Sequence, residues 1–152
     1  MSETTAAAGT AVPLTGTTRA RRADIGLRVL QILLALFFGV ASALPKLIAH
    51  PSATEGFDRI GFGDWFMYLI GSLELAGAIA LLIPLLSGLA GLAFIGLMTG
   101  AFITQVTVFD GENAATPLIV MVLVGLVAWG RRGHTARLIR LVSRGPRARG
   151  PE

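Results

Sequence analysis

The chain contains no cysteine, which removes disulfides, thiolate metal sites and dithiol chemistry from anything it does unaided. Charge is also scarce: Asp, Glu, Lys and Arg make up 14% of the 152 residues, against 53% hydrophobic residues and a mean hydropathy of +0.70. Soluble domains carry about 25% charged residues, so this composition excludes one and reads as an integral membrane protein. Histidine is limited to His50 and His134, which the apolar runs between them place on opposite sides of a bilayer. That separation excludes a haem held by two histidines, and no zinc-ligand spacing is present. The sequence also lacks a phosphate loop, a nucleophile elbow and any paired carboxylates.

The net charge of +4 and pI near 11.0 point to topology rather than nucleic acid, because the basic residues flank apolar runs instead of sharing a face with aromatics. The runs predict an all-α protein, an integral membrane four-helix bundle occupying residues 24–130, with spans at about 25–47, 65–86, 89–109 and 115–130. Before it, residues 1–23 read as a disordered tail ending in basic residues. After it, residues 131–152 carry seven arginines. There Leu138, Ile139, Leu141 and Val142 fit one side of a short amphipathic interfacial helix, and a solvated basic tail fits equally.

Eleven of the thirteen Lys and Arg residues lie at the two ends of the chain, whereas the two loops between spans one and two and between three and four hold Glu55, Asp58, Asp64, Asp110 and Glu112 against only Lys46 and Arg59. The asymmetry predicts that both termini face the cytoplasm, in a multi-pass protein of the cell inner (plasma) membrane. The first of these loops is the longer. Ser52 and Glu55 form a capping-box pattern after Pro51, predicting a short interfacial helix that Gly61 and Gly63 break, with Asp64 as cap of the next helix. Trp65, Phe66 and Tyr68 then mark a membrane surface.

Small residues predict where helices approach closely: Ala35, Gly39 and Ala43 on the first span, Gly71 and Gly77 on the second, and the pair Gly96 and Gly100 on the third. One carboxylate, Glu74, falls about 13 Å into the second span, where it costs about 2.5–3.5 kcal/mol on insertion scales. Its neighbours one turn away are Ile70, Gly71, Gly77 and Ala78, mostly small, so it is expected to face another helix. It is either a proton-accepting or ligand-contacting group, or a structural clamp between two helices. Lys46, beside Pro45 at the end of the first span, either reaches outward to the interface or turns inward. Gln105, near the far end of the third span, is the remaining polar candidate.

Lys46-Leu47, Ile60-Gly61 and the run Leu69-Ile70-Gly71-Ser72-Leu73-Glu74-Leu75-Ala76-Gly77 together resemble the DoxX-like family of small four-helix membrane proteins, over roughly residues 28–131. The resemblance implies a four-helix bundle, with Lys46, Gly71 and Glu74 at positions matching the family pattern. It also implies kinship with membrane subunits of quinone-reducing oxidoreductases, membrane partners of detoxifying redox complexes, and assembly or trafficking factors. On that basis the expected role is a non-catalytic membrane subunit or anchor of a redox-linked complex, with quinone or lipid as the ligand it would hold. Two alternatives are a small proton-coupled transporter using Glu74 and a lipid-binding or chaperone-like bundle. A homo-oligomer or a larger membrane complex is expected, because four short helices bury little surface.

Overall fold

Pro45 shapes the first helix of the computed structural model, which describes residues 15–143. Helix α1 (Thr15–Leu36) widens into a π-helical segment, Phe37–Ala43, and resumes as one turn, α2 (Leu44–Leu47). In the widened segment the Leu44 N–H donates to the Gly39 carbonyl, five residues back. Proline lacks an N–H and its ring clashes with the carbonyl four residues earlier, a clash that a wider turn relieves. The buried stripe records the change of pitch. Gln31, Leu34, Ala35 and Phe38 follow one another at steps of three, one and three, and the next buried residue is Ala43, a step of five.

The start of α1 corrects the sequence expectation. Residues from Thr15 onward, expected to lie in a disordered tail, are helical, in keeping with the helix formers Ala20, Arg21, Arg22 and Ala23. Residues 1–14 and 144–152 of the two expected tails lie outside the described residues.

Helix α3 (Pro51–Ile60) follows, but not from the expected capping box. Its cap is His50, whose Nδ1 accepts the Ser52 N–H at 3.3 Å, with Pro51 as the first helical residue. Gly61, at φ +81°, ends the helix in the left-handed conformation that glycine adopts without strain. Helix α4 (Asp64–Leu82) is preceded by Gly63; Asp64 makes no capping bond and is instead the first residue of the helix, where its charge still suits the positive end of the dipole. Then come α5 (Ser87–Val108), α6 (Ala115–Gly130) and α7 (Arg132–Ser143). The backbone of α7 is helical, and Ile139 is exposed. The side chains of Leu138, Leu141 and Val142, expected to share its apolar face, lie outside the described residues.

Three helices, Ala20–Leu47, Asp64–Leu82 and Ser87–Val108, are long and apolar enough to cross a membrane. The 16-residue α6 is apolar but shorter, about 24 Å long against a hydrocarbon core of about 30 Å. Large apolar side chains point outward along these helices, among them Val29 and Leu36, Leu73 and Ile79, and Val122 and Leu126. An exterior of this kind suits lipid rather than water.

Helix α4 packs against α1 and α5, α5 against α6, and α6 against α1. The core stack is Phe38 on Phe94, with ring centroids 3.7 Å apart and planes 14° from parallel. Gly77 makes room for it, since a Cβ there would stand 2.6 Å from the Phe94 ring. Ala35 and Ala43 are buried, and Gly39 faces Ala78, so these expected packing positions do lie between helices. The Gly96 and Gly100 pair does not: a Cβ at either would meet nothing within 4 Å. The close approach of α5 to α6 is made at Gly91, where a Cβ would lie 3.0 Å from the Val124 carbonyl oxygen and 3.1 Å from the Ala128 Cβ.

Candidate functional site

The buried face of α4 consists of Met67, Gly71, Glu74, Ala78 and Leu81, residues three and four apart that form one helical stripe. Glu74 is only 4% exposed, as its small neighbours predicted. Opposite it stands Lys46. Their side chains form an ion pair, Lys46 Nζ to Glu74 Oε2 at 2.8 Å, so Lys46 turns inward. Lys46 does not reach outward to the interface. The backbone approach that allows this is made at Gly71, where a Cβ would stand 3.0 Å from the Lys46 Cβ and 3.3 Å from the Leu47 side chain. The lysine then extends along α4 for one turn to Glu74.

Lys46 Nζ also donates to the Ser42 carbonyl oxygen and to Ser42 Oγ, each at 2.9 Å. An ammonium has three N–H donors, and all three are engaged. Ser42 comes from the π-helical segment, so the distortion in the first helix supplies two of the three acceptors. Removing two charges from water is offset only where the pair is close and its remaining donors are bonded, and Lys46 meets both conditions. Glu74 differs in that Oε1 takes no hydrogen bond from any described residue, so one carboxylate oxygen remains available to a ligand.

The pair forms part of the wall of a cavity of about 730 Å³. Phe37 and Phe38 of the π-helical segment, Phe57 of α3 and Phe66 of α4 supply apolar wall, and Gln105 and Thr104 of α5 supply polar groups. The Gln105 side chain makes no hydrogen bond among the described residues. Gly96 and Gly100 also belong to this wall, so their lack of side chains leaves cavity space rather than a helix contact. Helix α3 covers one side, with Phe57 against Phe66 at 5.8 Å between centroids and the Arg59 guanidinium 4.6 Å from the Phe109 ring centre. The cavity thus joins one ion pair and the amides of Gln105 and Asn113 to a mostly apolar wall that includes several phenylalanines.

Residues 29–127 of the sequence, which include Lys46, Gly71 and Glu74, match the DoxX-like family. The chain belongs to the DoxX-like family. Comparison with curated proteins and with solved structures gave no match.

A second polar cluster of this DoxX-like protein was not anticipated from its sequence. Arg131, at the end of α6, is 7% exposed. Its Nε donates to Gln31 Oε1 at 3.0 Å and its Nη1 to Asp24 Oδ1 at 2.5 Å. Gln31 in turn donates through Nε2 to the Leu81 carbonyl oxygen at 2.7 Å, one of the carbonyls left unpaired by the end of α4. The cluster ties α1, α4 and α6 together. The sequence signal was Gln31, a lone amide in an apolar run seven residues, or about two helical turns, after Asp24. Its partner Arg131 lies 100 positions away and looked like the start of a basic tail.

Proposed function

We propose that this DoxX-like protein is a non-catalytic membrane subunit that holds a quinone-class ligand in the cavity beside Lys46 and Glu74 and anchors a redox-linked complex. In this reading α1 with α2, α4, α5 and α6 form a four-span bundle in the cell inner membrane with both termini cytoplasmic. The observation that carries the ligand assignment is the ion pair in the wall of a mostly apolar cavity of about 730 Å³, lined in part by phenylalanines, a volume inside the range of about 300–1,000 Å³ common for small-molecule sites.

A quinone ring needs flat apolar walls and hydrogen-bond donors for its two carbonyl oxygens. Phe37, Phe57 and Phe66 provide the walls. Lys46 provides one donor by exchanging its bond to Ser42 Oγ for one to the ligand, and the free Gln105 amide provides a second. The bare backbone at Gly96 and Gly100 leaves space for an isoprenoid tail. A proton-coupled transporter is less well served, because Lys46 already compensates the charge that Glu74 would offer a cation.

Mass spectrometry of small molecules extracted from the protein purified in mild detergent tests the assignment. Quinone retained by the native chain and lost from Lys46→Met is the expected result. Phospholipid alone in the extract, with no quinone in either sample, would overturn it.

A further inference from the structure

The Arg131 cluster borders a second, smaller cavity of about 190 Å³, lined by Arg28, Gln31, Ile32, Leu81, Pro84 and Arg131 among others. Two arginines therefore face one small space between α1 and the end of α4. Arg131 has five N–H donors, of which Asp24 and Gln31 occupy one on Nη1 and the one on Nε; Nη2 takes part in no hydrogen bond among the described residues. Arg28 likewise has no ion pair or hydrogen bond among the described residues. Asp24 balances one of the two positive charges, and among the described residues no acid pairs with the other.

The position of this cavity in the fold indicates what could fill it. It sits where α4 ends at Leu82 and α6 ends at Gly130, the level at which membrane helices meet lipid headgroups. Outward-facing apolar side chains lead away from it toward the middle of the spans: Ile32 and Leu36 on α1, at 45% and 56% exposure, and Ile79 and Leu82 on α4, each at 55%. A volume of about 190 Å³ has room for a phosphate group.

We infer that Arg28 and Arg131 bind the phosphate of an anionic phospholipid between α1 and α4, with its acyl chains lying along Ile32, Leu36, Ile79 and Leu82. Guanidinium groups suit this ligand because their paired N–H groups match two phosphate oxygens at once, and basic pockets between membrane helices are known lipid headgroup sites. Gln31, held by the Leu81 carbonyl, fixes the Arg131 guanidinium so that its free edge stays toward the cavity.

The test is a titration of the purified full chain with short-chain phosphatidylglycerol, read as the shift in thermal midpoint in detergent. Parallel titrations use short-chain phosphatidylcholine and inorganic phosphate. Phosphatidylglycerol should raise the midpoint saturably. Arg28→Ala, at an exposed side chain with no bonds to lose, should raise the half-saturating concentration roughly fivefold, the loss expected for one basic group at an anionic membrane surface. Arg28→Lys should recover part of that loss, and Arg140→Ala, on the exposed face of α7, should leave it unchanged. The inference is overturned if Arg28→Ala and the native chain titrate alike, if phosphatidylcholine stabilises equally, or if inorganic phosphate alone reproduces the shift, which would make the ligand a free phosphate rather than a lipid.

Discussion

Lys46 lies directly against Gly71: a methyl group on that glycine would stand 3.0 Å from the lysine Cβ. The close approach is what allows an ammonium near the end of one helix to reach a carboxylate one turn further along another. Gly71→Val is therefore expected to separate α2 from α4 and to destabilise the protein by about 1–3 kcal/mol, the usual range for overpacking. Thermal melts in detergent measure the loss. A midpoint equal to that of the native chain would show that the contact is loose.

Glu74 is held as the partner of a charge, and its variants should behave accordingly. Glu74→Gln keeps the shape but removes the ion pair and is expected to cost about 1–3 kcal/mol. Glu74→Leu leaves Lys46 facing an apolar group and should cost more, about 3–5 kcal/mol. The double variant Lys46→Met with Glu74→Leu should recover much of that loss, since a well-packed apolar pair often replaces a buried ion pair without penalty. If Glu74→Leu melts at the native temperature, the buried pair has no structural role.

Two glycines of α5 should respond to alanine in opposite directions. Gly91→Ala meets the backbone carbonyl of Val124 at 3.0 Å and the backbone nitrogen of Ala128 at 3.1 Å, neither of which can rotate away, so a loss of about 1–3 kcal/mol is expected. Gly96→Ala meets nothing and should be neutral or gain up to about 1 kcal/mol from helix propensity. Parallel melts of the two variants compare them directly, and a larger loss at Gly96 would contradict the packing described for α5 and α6.

The proposed topology predicts that reporters fused to the two ends of the chain both show a cytoplasmic signal. Helix α6 is the element at risk, because its length of about 24 Å requires the bilayer to thin or the flanking residues to reach outward. A C-terminal reporter on the opposite side from the N-terminal one would mean that α6 does not cross.

Association with a second copy or a partner is expected as well, because four short helices bury little surface among themselves. Crosslinking in native membranes should yield species larger than one chain. A monomer band alone would count against both a homo-oligomer and a stable complex.

Much of the fold was legible because hydrophobic length and glycine punctuation report directly on helices. The burial of Glu74 was legible too, since three of its four helical neighbours are small. The facing of Lys46 was not, because sequence spacing assumes a regular helix and Lys46 follows a stretch that is not regular. Gly96 and Gly100 misled for a related reason: a spacing of four places two glycines on one stripe but does not say whether that stripe faces a helix or a cavity. Gln31 and Arg131 escaped notice because an arginine at the head of a basic run resembles every other arginine in it, and only the fold brings it back to α1.

The π-helical segment also constrains how the chain can change length. An i to i+5 turn holds one residue more than the regular turn, and removing a residue such as Val40 would let the helix close into uniform α geometry. The five-residue step from Phe38 to Ala43 would become a step of four, which keeps both residues on one face of an α-helix, so the two flanks would face much as before. Gln31 and Lys46 sit on opposite sides of that point, each bonded to α4, one through the Leu81 carbonyl and the other through Glu74. Closing the turn would leave both attachments within reach and would instead return the Pro45 ring against the carbonyl four residues before it. Between Phe37 and Ala43 the loss of one residue should therefore be tolerated best when Pro45 is replaced as well.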